Sequence, residues 1–268
     1  MVGATIEIPA LLGLNITYPR MNLNRTARTC IIRSSWTPSM ESSIFRLSGT
    51  MYVRNVLDLG TGIGTWAIDF ADEHPDATVI GTDLSPIQPP FVPPNCHFFI
   101  DDFNANWAFD ERFDFIHARS LVGCSKDFPA LIRQAHDNLR PGGWLEMSDI
   151  QVPFLADDDS LMGTCISEWN SKQPEACSRG FENVVELRHK WPVGTWPQDK
   201  WYKKLGGMTR LNFLSGLEGF TLRLWTTVLG MEPAEVLVFL AHVRKDILDS
   251  SIHCYWPVYC VYGQKPMQ

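Results

Sequence analysis

A chain of 268 residues that is 45% hydrophobic and 20% charged has ordinary globular composition, which excludes wholesale disorder and allows one substantial core. Its formal net charge of -7 argues against nucleic acid as a partner, because phosphates call for a basic surface. No apolar run reaches the length of a membrane span, and the seven scattered cysteines contain no CxxC pair. Neither a metal site nor a disulfide framework is therefore predicted, and the thiols read as reduced and intracellular.

Residues 1–40 carry Arg20, Arg25, Arg28 and Arg33 against a single acid, Glu7, and open a leader that is expected over residues 1–50. They read as a poorly ordered leader rather than an organellar targeting segment, so a cytoplasmic protein is expected, with a nuclear one as the alternative. From residue 51 onward one domain is predicted. Residues 53–59 form a short buried strand that runs into Gly60, Gly62 and Gly64. Residues 64–74 follow with a helical face of Ile63, Ala67, Phe70 and Ala71, stopped by Pro75. Residues 78–82 are a second strand ending at Asp83. The segment SPIQPPFVPPN, with five prolines between residues 86 and 94, forbids a helix and reads as a stiff extended connection.

Residues 97–100 are a third strand before Asp101 and Asp102, and residues 113–117 a fourth. An amphipathic helix is predicted over 128–139, after which Arg140-Pro141-Gly142-Gly143 turns the chain into a fifth strand over 144–147. Residues 183–187 read as a sixth strand, 198–249 as a helical insertion and 253–263 as a closing strand. The pattern predicts an open, mostly parallel α/β sheet.

The glycine loop VLDLGTGIGTW admits three ligand classes. A nucleoside triphosphate fails, because Thr65-Trp66 stands where a Walker loop needs its lysine. A dinucleotide fits the GxGxxA spacing, with Asp83 at the distance of a ribose-binding acid. Asp58, however, would repel a pyrophosphate at the helix N-terminus. S-adenosylmethionine reverses that preference, since Asp58 attracts its ammonium directly or through water and the loop amides meet its carboxylate. The glycines allow close backbone approach. Asp83 then takes the ribose hydroxyls, Asp102 or its neighbour Asp101 accepts from the adenine amine, and Phe103 flanks the ring. Each acid alone also reads as a turn or cap residue. Together they occupy the carboxyl ends of the first three strands, where open α/β sheets bind ligands.

VLDLGTGIGTWAIDFADEHPDATVIGTDLSPIQPP, FIDDFNANW, FDFIHARSLVG, LRPGGWLEMSD and the YWPVY tail together resemble a class I S-adenosylmethionine-dependent methyltransferase. More narrowly they resemble the fungal LaeA-like group, from about residue 54 to the C-terminus. The resemblance implies a Rossmann-like three-layer sandwich around a seven-stranded sheet whose last strand is antiparallel. It also implies a cofactor lying over Gly60, Thr61, Gly62, Asp83, Leu84 and the turn of residues 101–103. Two regions depart from the group: residues 1–50 lack its acidic, aromatic helical segment, and residues 152–182 are shorter than usual.

Methyl transfer asks mainly for alignment of the acceptor and exclusion of water. His117, at the end of the fourth strand, is the candidate base for an oxygen or nitrogen acceptor. The competing reading makes it a pocket wall, and Arg119, Glu146 and Asp149 are lesser candidates. Trp191 and Trp196 either cover an aromatic substrate or pack a rigid loop, and His253-Cys254 reads as structural. The expected function is O- or N-methylation of a small secondary metabolite. The alternatives are a regulatory protein with a protein partner and, more remotely, a nicotinamide oxidoreductase.

Overall fold

The computed structural model describes residues 53–151, 154–170 and 182–267. The expected leader, 1–50, lies outside them, as do residues 152–153 and 171–181 of the shortened stretch before the sixth strand. The strands are β1 (Asn55–Leu59), β2 (Thr78–Asp83), β3 (Cys96–Ile100), β4 (Phe113–Arg119), β5 (Leu139–Ile150), β6 (Glu182–Pro192) and β7 (Tyr255–Gln264). The helices are α1 (Thr65–Glu73), α2 (Phe128–Asn138), α3 (Cys165–Asn170), α4 (Lys200–Val228) and α5 (Pro233–Leu248).

The strands make one sheet in the order β3-β2-β1-β4-β5-β7-β6. β1 to β5 are parallel to their neighbours, and β7 runs antiparallel to both β5 and β6. β1 is an interior strand, paired on both sides, which explains why it is apolar on both faces. Val56 packs with Ala67, Phe70 and Ala71 of α1, whereas Leu57 and Leu59 pack with Leu131 and Ala135 of α2. Among the connections that join β1 to β5, those from β1 to β2 and from β4 to β5 carry helices. The proline segment spans β2 to β3 without one, as its composition requires.

Two strands extend furthest beyond the sequence reading. β5 begins at Leu139 rather than 144, with an irregular register between Phe113 and Phe115. The turn residues join the sheet because Gly142 N–H donates to the Lys265 carbonyl and Lys265 N–H to that of Gly143. β6 extends to Pro192 because β7 supplies partners as far as Tyr255. That extension puts Trp191 in a strand rather than in a covering loop.

The insertion between β6 and β7 is a pair of helices broken at Gly230, where φ is +67°. Because β7 starts beside the carboxyl end of β5, and β6 ends beside that start, the insertion leaves and returns at the glycine-loop end of the sheet. Its core is separate: Phe154 stacks on Trp256 at 4.8 Å, and Phe213 meets both rings edge-on. Trp225, Leu217, Leu240 and Val243 complete it.

Candidate functional site

The glycine loop is built on left-handed backbone, with φ of +63° at Gly60, +59° at Gly62 and +80° at Gly64. Residues with a Cβ rarely adopt this conformation, which explains the alternate glycines. Their surroundings differ. A Cβ on Gly60 would fall 2.6 Å from Leu121 Cδ2, and one on Gly64 would fall 2.4 Å from the Phe98 ring. A Cβ on Gly62 would meet nothing within 4 Å. Gly60 and Gly64 are thus packing glycines, and Gly62 presents bare backbone to open space.

Asp83 and the loop are one unit. Gly62 N–H donates to Asp83 Oδ2 at 2.8 Å, and Ser85 N–H donates to Oδ1 at 2.9 Å. Thr61 N–H donates to the Thr82 carbonyl. Gln88, from the proline segment, donates to the Gly62 carbonyl at 2.6 Å and to that of Ser85 at 3.0 Å. A carboxylate has about four acceptor directions, so Asp83 keeps capacity for further donors. Leu84, next along, is 59% exposed.

Asp58 lies beneath this loop and is buried. Its Oδ1 is 2.7 Å from His117 Nδ1, and its Oδ2 accepts from Thr61 Oγ1 at 2.5 Å. His117 is also buried and stacks on Trp66, with ring centroids 3.8 Å apart and planes 6° from parallel. The row continues across the sheet, because the register sets Asp58 beside His117, His117 beside Glu146 and Glu146 beside Tyr262. Burial pulls the Arg119 guanidinium down from its ordinary pKa, against the opposing pull of Asp58, Glu146 and Asp69. Asp58 and His117 therefore meet each other under the loop, a contact that their separation of 59 positions conceals in the sequence.

The acids after β3 form a turn. Asp101 N–H donates to the Asp83 carbonyl, Asp102 N–H to Asp101 Oδ1, and the Asn104 amide and side chain to Asp102 Oδ1. This turn joins Asp101 and Asp83 on adjacent strand ends. Phe103 is buried against Gly60 in the α2-side core rather than projecting from the turn.

The loop after β4 closes the far side. Ser120 has φ of +57°, and Leu121 reaches back to Gly60. Asp149, at the end of β5, accepts from Val122 N–H at 2.7 Å and from Ile150 N–H at 2.8 Å. Burial raises its pKa to about 6, against those amide hydrogen bonds. Asn104 laces this loop to the β3–β4 loop by donating to the Cys124 carbonyl and accepting from Lys126 N–H.

Trp196 and the pair His253-Cys254 belong to the insertion. Trp196 Nε1 donates to the Cys254 carbonyl, and His253 Nδ1 is 2.7 Å from Asp158 Oδ2. Sequence reasoning passed over Gln88, Phe98 and Leu121. The quoted run GTDLSPIQP contains Gln88, whereas Phe98 and Leu121 carry only a generic apolar signal. Among the described residues no cluster of His, Cys, Asp or Glu could hold a metal ion. No disulfide joins the five cysteines among them, and no helix among them is long and apolar enough to cross a membrane.

The methyltransferase-domain family matches residues 37–192, starting within the expected leader. The chain is 35% identical to methyltransferase pytC of Aspergillus terreus, over 93% of this chain and 84% of that one. It is 32% identical to the secondary metabolism regulator laeA of Monascus pilosus, over 79% of this chain but 63% of the relative. Among solved structures it is similar to the [4+2]-cyclase SpnF, with a TM-score of 0.51 at 15% identity, over 85% of this chain and 80% of that one. That likeness concerns the fold.

Proposed function

The chain belongs to the methyltransferase-domain family, and we propose that it moves the methyl group of S-adenosylmethionine to an oxygen or nitrogen of a small secondary metabolite. Membership sets aside the nicotinamide reading of the GxGxxA spacing. The observation that carries the proposal is the glycine loop, with Gly62 bare to open space and tied through its N–H to Asp83.

In this reading Asp83 is held by the Gly62 and Ser85 amides with its remaining lone pairs free for the two ribose hydroxyls. Asp101 or Asp102 takes the adenine amine, Leu84 covers the ring, and Phe103 supports the floor of the loop from below. Gly60, Thr61 and Gly62 supply backbone for the amino-acid end. The bound cofactor supplies a methyl group already activated on a sulfonium, so the protein's main contribution is alignment and exclusion of water.

His117 acts through Asp58. Its Nδ1 contact holds the carboxylate that receives the Thr61 hydroxyl, which makes it a positioning residue for the loop. Asp58 then draws the cofactor's ammonium through its field from beneath the loop, or through a bridging water. Acceptor specificity belongs to the insertion, which rises from the same end of the sheet, in a cytoplasmic protein.

Titration calorimetry with S-adenosylmethionine tests the cofactor. Saturable binding is expected, and Asp83→Ala should weaken it by about 10- to 100-fold, the worth of roughly 1.5–3 kcal/mol of charge-assisted hydrogen bonding. A normally melting protein that gives no heat would overturn the assignment. The similarity to laeA favours one second reading, a regulatory protein. It expects cofactor binding unchanged, no methylated product from any pathway intermediate, and a protein partner recovered with the chain.

A further inference from the structure

Among the described residues β6 is the last strand of the sheet and pairs on one side only, with β7. Its stretch VVELRHKW is free of proline and glycine, with Val184 54% and Val185 39% exposed. Such an edge templates pairing with another chain unless it is short, bulged, charged or covered, and the bulge of β6 is confined to its start, between Glu182 and Val185.

The groups that point outward follow from the hydrogen bonding at the strand's end. Val193 N–H donates to the Cys254 carbonyl, and the same register pairs Trp191 with Trp256, His189 with Val258 and Leu187 with Cys260. Tyr255 and Pro257, between them on β7, bond instead to Leu155 and Gln151 on the other side. Alternation in an antiparallel ladder therefore turns the odd-numbered residues of β6 toward β7. From Val185 onward, where the register is regular, the amides and carbonyls of Glu186, Arg188 and Lys190 face outward.

We propose that this edge is a homodimer interface, in which β6 pairs antiparallel with β6 of a second copy about a two-fold axis at Leu187. The sheet then continues through both copies. In this register Glu186 stands opposite Arg188 of the second copy on both sides of the axis, as a hydrogen-bonded pair of opposite charge. The neighbouring symmetric registers set Arg188 against Arg188 or Glu186 against Glu186, so the charges select the axis at Leu187. The two side chains share one face and already bond within a copy at 2.6 Å. They remain largely exposed there, at 45% and 70%, and are available to a partner.

Light scattering on the full chain at micromolar concentration tests this. The wild type should have twice the monomer mass, Glu186→Arg and Arg188→Glu should each halve it, and the combined swap should restore it. Glu186→Pro, which removes an outward amide without touching a bond to β7, should also give a monomer with its circular dichroism retained. That variant decides the matter if a charge reversal fails to fold. A monomeric wild type, whether the edge is bare or covered by the chain's own segments, overturns the proposal. So does a dimer indifferent to the single changes, or a folded swap that stays monomeric.

Discussion

The two ends of the sheet are organised by different physics. At the β1–β4 side the acids of the candidate site sit at strand carboxyl ends, and hydrogen bonds from loop amides and from neighbouring side chains hold them. At the β6–β7 end the helical insertion is held by apolar packing between residues far apart in sequence, such as Phe154, Phe213 and Trp256. The contrast predicts separate stability for the glycine-loop region and the insertion. One is fixed by loop geometry on a parallel scaffold, and the other by a second core.

Replacing Trp225, fully buried in the insertion, by Ala tests that separation most strongly. A loss of about 3–5 kcal/mol is expected from the vacated volume. Under denaturant the insertion should melt first, while calorimetry still detects cofactor binding. Simultaneous loss of both would break the comparison. Next comes Asp149 on the cofactor side. Its folded pKa, about 6, lies above the ordinary value of 3.8, so it favours the folded state when protonated. That contribution, about 3 kcal/mol, is full below pH 4 and lost as pH rises to 6. Melting curves between pH 4 and 7 should show the slope, and Asp149→Asn should flatten it.

A smaller effect is expected from Gly206→Ala on α4. Its Cβ would fall 2.0 Å from the carbonyl oxygen of Gly194, which is backbone and cannot rotate away. Overpacking of this kind costs about 1–3 kcal/mol. Because the contact lies wholly within the insertion, KM for the acceptor should rise with cofactor affinity unchanged, as steady-state kinetics would detect.

The parallel strands, the proline connection and the acids at the ends of β1 to β3 were legible because each is written in a local period or a single backbone rule. An apolar run with an acid before alternate glycines has few structural outcomes. The pairing of Asp58 with His117 was not legible, since it depends on β1 and β4 lying side by side in register. The role of Gln88 was equally hidden, because the proline segment folds back over Gly62. Leu121 and Phe98 are ordinary core letters that acquire meaning only from the glycines they touch.

By itself the sequence determined the class of fold, the conformation of the glycine loop and the ligand class that loop suits. These follow from steric limits on φ and from charge placed within a few residues. Tertiary structure alone decided which partners each acid keeps, that the insertion stands at the glycine-loop end, and that β6 is the last strand of the sheet among the described residues. Those depend on strand order and register, which long-range packing sets and no local pattern encodes.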